Sequence, residues 1–268
     1  MSVLQSRNPA MRVLESETPF GVERAKVMTL GGTVTATSIL LSIVAVVGVL
    51  SWQAINSSFL AGNGIPGWAM PVMIATLIGG IIVSIVIYKA PKTAPIVAPL
   101  HAILEGAFVG VASFIIPMRF LPMQEGMSTN PGAMIAAQAA TATLAVTAVM
   151  LGGYATGVFR VGPLLSKIMM TALFGLIGYT LLIWVLSIFG VGIWNGYADT
   201  GMMGIGFTVL CAGLASMFLL LDFQFIEKGV EQGAPKYMEW VGAWGLMVTL
   251  VWLYIELLRL LSKLQSRD

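Results

Sequence analysis

Seven long apolar segments, nearly free of charged residues, limit what this chain can fold into. Each is about twenty residues long or more, the length that an α-helix needs to cross the hydrocarbon core of a bilayer. Only 10% of the 268 residues are charged and 57% are hydrophobic, whereas a soluble domain has about 25% charged residues. The sequence therefore predicts an all-α membrane protein, a bundle of seven transmembrane helices. The predicted spans are 31–54, 68–88, 96–117, 133–154, 166–190, 201–222 and 239–262.

The residues outside these spans divide the chain into a tail and one membrane domain. Residues 1–28 are polar and mixed in charge, and they lack the apolar centre of a secretory signal. This pattern predicts a retained, cytoplasmic N-terminal tail rather than a cleaved leader. Residues 29–268 form the predicted membrane domain, whose spans are separated by turn-forming residues such as Asn130-Pro131-Gly132.

Lysine and arginine residues indicate how the chain is inserted, because they concentrate in the cytoplasmic segments of membrane proteins. With a cytoplasmic N-terminus, the tail and the second, fourth and sixth connections carry ten of these residues, and the other connections carry only Arg119. The alternation predicts that the N-terminus is cytoplasmic. Arg259, Lys263 and Arg267 at the C-terminus do not fit. Either these charges are tolerated outside, or the last segment is re-entrant.

The motifs that the chain lacks exclude several classes of function. No basic patch with interleaved aromatic residues is present, so we expect no nucleic-acid partner. The sequence has no P-loop, GxSxG or HExxH motif, and His101 is its only histidine, so we expect neither an enzyme nor a bound cofactor. Cys211 is the only cysteine. It predicts a buried thiol rather than a disulfide or a Cys/His metal site.

His101 and Glu105 are the first candidates for function, because ionisable residues inside apolar helices are costly and often functional. They lie four residues apart in the third predicted span, which places them on one face of a helix. Two interpretations stand. The pair is either a proton-responsive element that lines a polar cavity, or a structural pair whose hydrogen bonds hold helices together.

Asp222 and Glu239 are the second candidates. Asp222 closes the sixth predicted span and Glu239 opens the seventh, on the same side of the membrane. Asp222 is either an ordinary helix-end carboxylate or half of a pair that shares a proton or binds Ca²⁺, because two close carboxylates do not both ionise cheaply. Glu239 is the expected partner, and the two together are the predicted metal ligands.

The other acidic residues of this region are predicted to have ordinary roles. Glu256 lies late in the seventh span and is expected to pair with Arg259, three residues further along the helix. Glu227 and Glu231, on either side of Lys228, are expected on a solvated loop.

The segment that begins at Asp222 resembles the signature that follows the sixth helix in the Bax inhibitor family, in its bacterial, YccA-like branch. The seven-span layout is similar too, and the resemblance covers about residues 30–265. It implies a bundle whose last helix is central and is wrapped by the other six. The matching residues are Asp222-Phe223-Gln224-Phe225-Ile226-Glu227-Lys228, Gly233 and Tyr237, with Glu105-Gly106 in the third span and Leu257-Leu258-Arg259 near the C-terminus.

The same resemblance implies a pH-sensitive calcium leak that is gated by two aspartates near the cytoplasmic face. Asp222 matches the first aspartate. The second falls on Thr249 or on Met247, depending on which flanking motif is aligned, and neither residue is acidic. Glu239 has a similar local context but occurs earlier in the span.

We therefore expect a multi-pass protein of a bacterial inner membrane that acts as a pH-responsive cation leak, handling calcium or protons. Asp222 is the expected gate carboxylate, Glu239 its partner, and Thr249 stands at the position of the second aspartate. The alternative is a non-conducting protein that regulates membrane stress or proteolysis through a membrane protease or a stress-response partner. A small-molecule transporter is the third hypothesis, although no inverted repeat is visible to support it.

Overall fold

The computed structural model describes residues 27–121 and 131–266. Within these ranges, seven helices are long and apolar enough to cross a membrane, which confirms the predicted bundle. The predicted N-terminal tail, residues 1–28, lies outside the described residues except for its last two. The helices are α1 (Leu30–Ser58), α2 (Ala69–Lys89), α3 (Ala94–Phe120), α4 (Pro131–Ala155), α5 (Pro163–Ile188), α6 (Met202–Glu231) and α7 (Met238–Gln265).

Helix α6 extends nine residues beyond Asp222, so the prediction that Asp222 ends this helix is wrong. The helix ends where Gly233 takes a φ of 63°, a left-handed conformation that favours glycine. The N–H groups of Gly233 and Ala234 donate to the carbonyls of Val230 and Gly229. Glu227 therefore lies on the helix, and so does Glu231 as its last residue, rather than on a loop.

Helix α7 is the central helix of the bundle. It packs against α1, α3, α4 and α6, and it has the largest buried share of the seven spans. Helix α2 packs on α3, and α5 packs on α6. These two form an outer layer, so α7 is wrapped chiefly by four helices rather than by all six. Helix α5 is almost wholly exposed and apolar along its length, as a lipid-facing helix must be.

The segment before α1 is fastened to the connection between α6 and α7. The N–H of Met28 donates to the carbonyl of Ala234, 2.7 Å away, and Val27 forms an isolated bridge with Pro235. At its other end α7 reaches the opposite side of the bundle, where Lys263 contacts Gly196 in the connection before α6 and Gly204 in the first turn of α6. The last segment is therefore a full crossing and not a re-entrant one.

Candidate functional site

The Asp222 side chain on α6 faces a small-residue stretch of α7. Its Oδ1 atom lies 3.7 Å from the place where a Cβ of residue 245 would stand, so Gly245 leaves room for the carboxyl group. Thr249, one turn further along α7, lies near the same carboxyl group. The Oδ2 atom of Asp222 is buried and has no hydrogen-bond partner among residues 27–121 and 131–266. Asp222 thus keeps an unused acceptor inside the bundle.

The Thr249 hydroxyl has two competing acceptors. It donates to the carbonyl of Gly245, 3.2 Å away, and it has only one hydrogen to give. While that bond is made, the hydroxyl oxygen can accept a hydrogen bond from a protonated Asp222. If Asp222 is ionised, the hydroxyl can donate to the carboxylate only by leaving the carbonyl. The direction of a hydrogen bond between these two side chains would therefore depend on whether Asp222 carries a proton.

Glu239 is buried at the start of α7 and is bound to the N-terminus of α1 instead of to Asp222. Its Oε1 atom accepts the Thr29 N–H at 3.0 Å and the Thr29 hydroxyl at 2.8 Å. Thr29 in turn caps α1 by accepting the N–H of Gly32, and the Glu239 carboxyl group fills the space beside Gly32. An acid is favoured here, because the helix N-terminus is a positive end. Glu239 lies about 9 Å along the helix axis from Gly245.

Glu227, on the last turns of α6, joins that helix to α4. It accepts a short hydrogen bond from the Tyr154 hydroxyl and lies 3.4 Å from the Arg160 guanidinium. The Arg160 guanidinium also lies over the Tyr154 ring, 4.9 Å from its centroid. These contacts fix the end of α6 that carries Asp222 to the connection between α4 and α5.

The structure brings His101 and Glu105 together, with 3.3 Å between Nε2 and Oε1. The other ring nitrogen of His101, Nδ1, accepts the indole N–H of Trp244 at 2.6 Å, and Gly80 of α2 lies against Nε2. Because Nδ1 accepts a hydrogen bond, the ring proton is on Nε2, facing Glu105. A second proton on the ring would break the bond to Trp244. The pair thus joins α2, α3 and α7, and a proton-responsive role for it remains a prediction.

A family model described as Bax inhibitor 1 like matches residues 6–266 of the chain. The match covers nearly the whole sequence and includes all seven helices and the segment that starts at Asp222. The chain belongs to the Bax inhibitor 1 like family. No curated protein and no solved structure matches it significantly.

In this Bax inhibitor 1 like protein, Thr249 lies beside Asp222, at one of the two positions that the sequence resemblance gave for a second gate aspartate. Asp222 lies beside Gly245 of α7, whereas Glu239 lies at the start of that helix, about two turns away. Among the described residues, no cluster of three or more His, Cys, Asp or Glu side chains forms a metal site. Oxygen ligands for a cation at this place would come from Asp222, the Thr249 hydroxyl and nearby backbone carbonyls.

Sequence reasoning missed a fully buried lysine at the far end of α7. The Lys263 ammonium donates to the carbonyls of Gly196 and Gly204, at 2.7 and 3.0 Å, and to the Thr208 hydroxyl at 2.8 Å. Its three N–H groups therefore have three acceptors. From the sequence alone, Lys263 counts as one of the positive charges at the C-terminus. The signal that could have found it is its spacing from Leu258, Ser262 and other buried residues of α7.

The neighbours of Lys263 on α7 are also paired. Arg259 lies 2.7 Å from Glu256, which confirms the pair predicted from their spacing. The Arg259 guanidinium lies over the Tyr197 ring, 4.5 Å from its centroid. Two of the three C-terminal positive charges that did not fit the insertion rule thus have partners inside the protein. Arg267, the third, lies outside the described residues.

Proposed function

We propose that this protein is a pH-sensitive cation leak, with calcium as the ion, and that Asp222 and Thr249 form its gate. The observation that carries the proposal is the buried Oδ2 atom of Asp222, which has no partner among the described residues. Carboxylates inside membrane helices are costly and mark ion or proton pathways. The other buried charges of α7, at Glu239, Glu256 and Lys263, have hydrogen-bond partners.

The gate works through the proton on Asp222. A protonated Asp222 is neutral and can donate to Thr249, whose own hydrogen goes to Gly245, so the contact between α6 and α7 stays closed. An ionised Asp222 with one hydroxyl neighbour is poorly solvated between apolar helices, and the contact opens to admit water and cations. The flux is therefore greater at high pH than at low pH.

Calcium is the proposed ion because the groups at the gate are hard oxygen ligands. Ca²⁺ binds carboxylate, hydroxyl and carbonyl oxygens together with water. One carboxylate among neutral oxygens favours passage over tight retention, since the ion must also leave. The protein itself has no enzymatic activity in this proposal.

Calcium uptake into dye-loaded proteoliposomes tests the proposal, at pH 6, 7 and 8. The wild type is expected to conduct more at pH 8 than at pH 6. Asp222→Asn, which mimics the protonated acid, is expected to conduct little at each pH. Glu231→Gln is the matched control, because Glu231 is exposed at the end of the same helix. An uptake that responds equally in wild type and Asp222→Asn would refute the gate.

The membrane and the orientation are part of the proposal. We place the protein in a bacterial inner membrane with the N-terminus in the cytoplasm. The segment before α1 shares one face of the bundle with the α6–α7 connection, and positive charges concentrate on that face. Cysteines introduced at Lys236 and at Thr200, one in each connection of α6, are expected to react with an impermeant thiol reagent from opposite sides of the membrane.

A non-conducting role is the second candidate, and the position of Glu239 favours it. The carboxylate that was expected to complete the gate is bound to Thr29 instead. In this case the scaffold would bind a membrane protease or a stress-response protein. Folded wild-type protein that gives no cation flux between pH 6 and pH 8 would support this candidate and exclude the leak.

A further inference from the structure

A deep apolar groove runs between α1 and α4, on a floor formed by α3 and α7. Its volume is about 560 Å³. Helices α1 and α4 have no extensive contact with each other within the described residues, so the groove separates them along its length. Exposed residues of both helices, such as Val49 and Leu144, form its rims, and it therefore opens sideways, toward the bilayer.

The α4 wall of the groove is formed largely by small residues, namely Ala133, Ala136, Ala137 and Ala140. The α1 wall has Ala45 and Gly48 among larger side chains. Small residues usually let membrane helices approach each other closely. Here the two faces are held apart by the floor, where α3 and α7 both pack against α1 and α4.

The polar groups in the middle of the groove have partners, whereas the indole N–H of Trp52, beside Gln53 at one end, is buried and has no hydrogen-bond partner among the described residues. The hydroxyls of Ser113 and Tyr254, on the floor, lie 2.7 Å from each other. Thr143 donates to the carbonyl of Ala139 on its own helix. Water needs two or more polar partners to stay in a buried site, and these residues do not offer them. A ligand for this groove must be apolar along its length, except at the end beside Trp52 and Gln53.

We propose that the groove binds one acyl chain of a membrane lipid. Its wall on α4 runs from Ala133 to Leu144, about 16 Å of helix, and one leaflet of the hydrocarbon core is about 15 Å thick. The groove extends from the start of α4 to its middle, on the side of the bundle away from the segment that precedes α1. The chain would belong to a lipid of that leaflet, with its ester end near Gln53, an exposed amide at the end of the groove.

An acyl chain in the groove would contact both α1 and α4, which do not pack extensively against each other. Its floor includes Leu250 and Val251 of α7, directly after the gate residue Thr249. The proposal does not depend on conduction, because the groove would hold a lipid chain whether or not the protein conducts.

Photolabelling of the purified full-length protein tests the proposal. The probe is a phosphatidylglycerol with a diazirine on one acyl chain, in vesicles of phosphatidylethanolamine and phosphatidylglycerol, with labelled peptides mapped by mass spectrometry. Peptides from the groove walls of α1 and α4 are expected to carry several-fold more label than peptides of α5, which is the most exposed span. Equal labelling of α5 and the groove walls would overturn the proposal.

A groove-filling variant separates a bound chain from general lipid contact. Ala137→Phe with Ala140→Phe places two rings in the groove, and labelling of the α1 wall is expected to fall to the level of α5. Ala172→Phe is the matched control, because Ala172 is exposed on α5, and it is expected to leave the α1 label unchanged. Unchanged α1 labelling in a double variant that keeps the wild-type melting temperature would contradict a site in the groove.

Discussion

Helix α7 contains buried charged residues near both ends, and these have hydrogen-bond partners that Asp222, the acid on α6 that faces α7 between them, lacks at one oxygen atom. Glu239 at one end is bound to Thr29, and Lys263 at the other is bound to two carbonyls and a hydroxyl. Asp222, which faces α7 between them, has an oxygen atom without a hydrogen-bond partner among the described residues. The ends have the fully satisfied polar groups that hold a structure together.

The difference shows where the protein can respond to a change of charge. Removal of the Glu239 carboxyl group or of the Lys263 ammonium group breaks two or three hydrogen bonds, so these sites stabilise one arrangement. No comparable set of hydrogen bonds holds the Asp222 carboxyl group, so a proton can be added to its Oδ2 atom without breaking one. The ends of α7 are therefore structural, and in the proposed function the contact between Asp222 and Thr249 is the one that switches.

The largest effect on stability is expected from Lys263→Met. This change keeps most of the side-chain volume and leaves three buried acceptors without a donor, which costs about 3 kcal/mol or more of unfolding free energy. Denaturant or thermal unfolding in detergent measures it. Lys167→Met is the matched control, since Lys167 is exposed on α5. Equal losses in the two variants would mean that Lys263 is not a structural anchor.

A smaller loss is expected from Glu239→Ala. The change removes the acceptor for two hydrogen bonds from Thr29 and costs about 1–2 kcal/mol. Hydrogen exchange at the Met28 amide, which is bonded to Ala234, should speed up, because the segment before α1 is released. Glu239→Gln keeps an acceptor and is expected to behave nearly as wild type. A large stability loss in Glu239→Gln would show that the charge itself matters.

Trp244→Phe is expected to cost about 1 kcal/mol, the usual size of one lost hydrogen bond. It removes the indole N–H that His101 accepts and keeps an aromatic ring between α3 and α7. Thermal unfolding in detergent measures the loss, and a melting temperature equal to that of the wild type would mean that this hydrogen bond does not help to hold α3 against α7.

The smallest effect is expected at Asp199, in the connection between α5 and α6. Its carboxylate accepts the Gly201 N–H at 2.8 Å and the Trp194 indole N–H at 3.0 Å, and these bonds hold its pKa below the ordinary value. A lowered pKa contributes stability above the ordinary aspartate range, and that stability is lost as the pH falls through the folded-state pKa. Trp194 fluorescence should change on acidification in wild type and stay constant in Asp199→Asn.

The sequence predicts the local features of this fold well. The spans follow from the lengths of the apolar runs, and the second predicted span, 68–88, differs by one residue at each end from Ala69–Lys89. Contacts within one helix also follow from spacing, as for Glu256 with Arg259. The predicted end of α6 was wrong because the polar residues after Asp222 continue the helix. The residue that ends the helix is Gly233, eleven residues later.

Contacts between distant segments could not be predicted. Thr29 and Glu239 are 210 residues apart, and His101 and Trp244 are 143 apart, so no local pattern connects them. Lys263 was hidden for a different reason. A lysine near the end of a span usually extends to the membrane surface, and only the approach of Gly196 and Gly204 gives it acceptors inside.

The most direct test of the gate is a double-mutant cycle on the logarithm of the calcium flux at pH 8, with Asp222→Asn combined either with Thr249→Val or with Glu239→Gln. Strong coupling is expected between Asp222 and Thr249, since in the proposed gate the hydroxyl acts only through the carboxyl group. Independent effects are expected for Asp222 and Glu239, because Asp222 faces α7 and Glu239 is bound to the N-terminus of α1. Additive effects with Thr249 and coupling with Glu239 would contradict the account and restore the carboxylate pair as the gate.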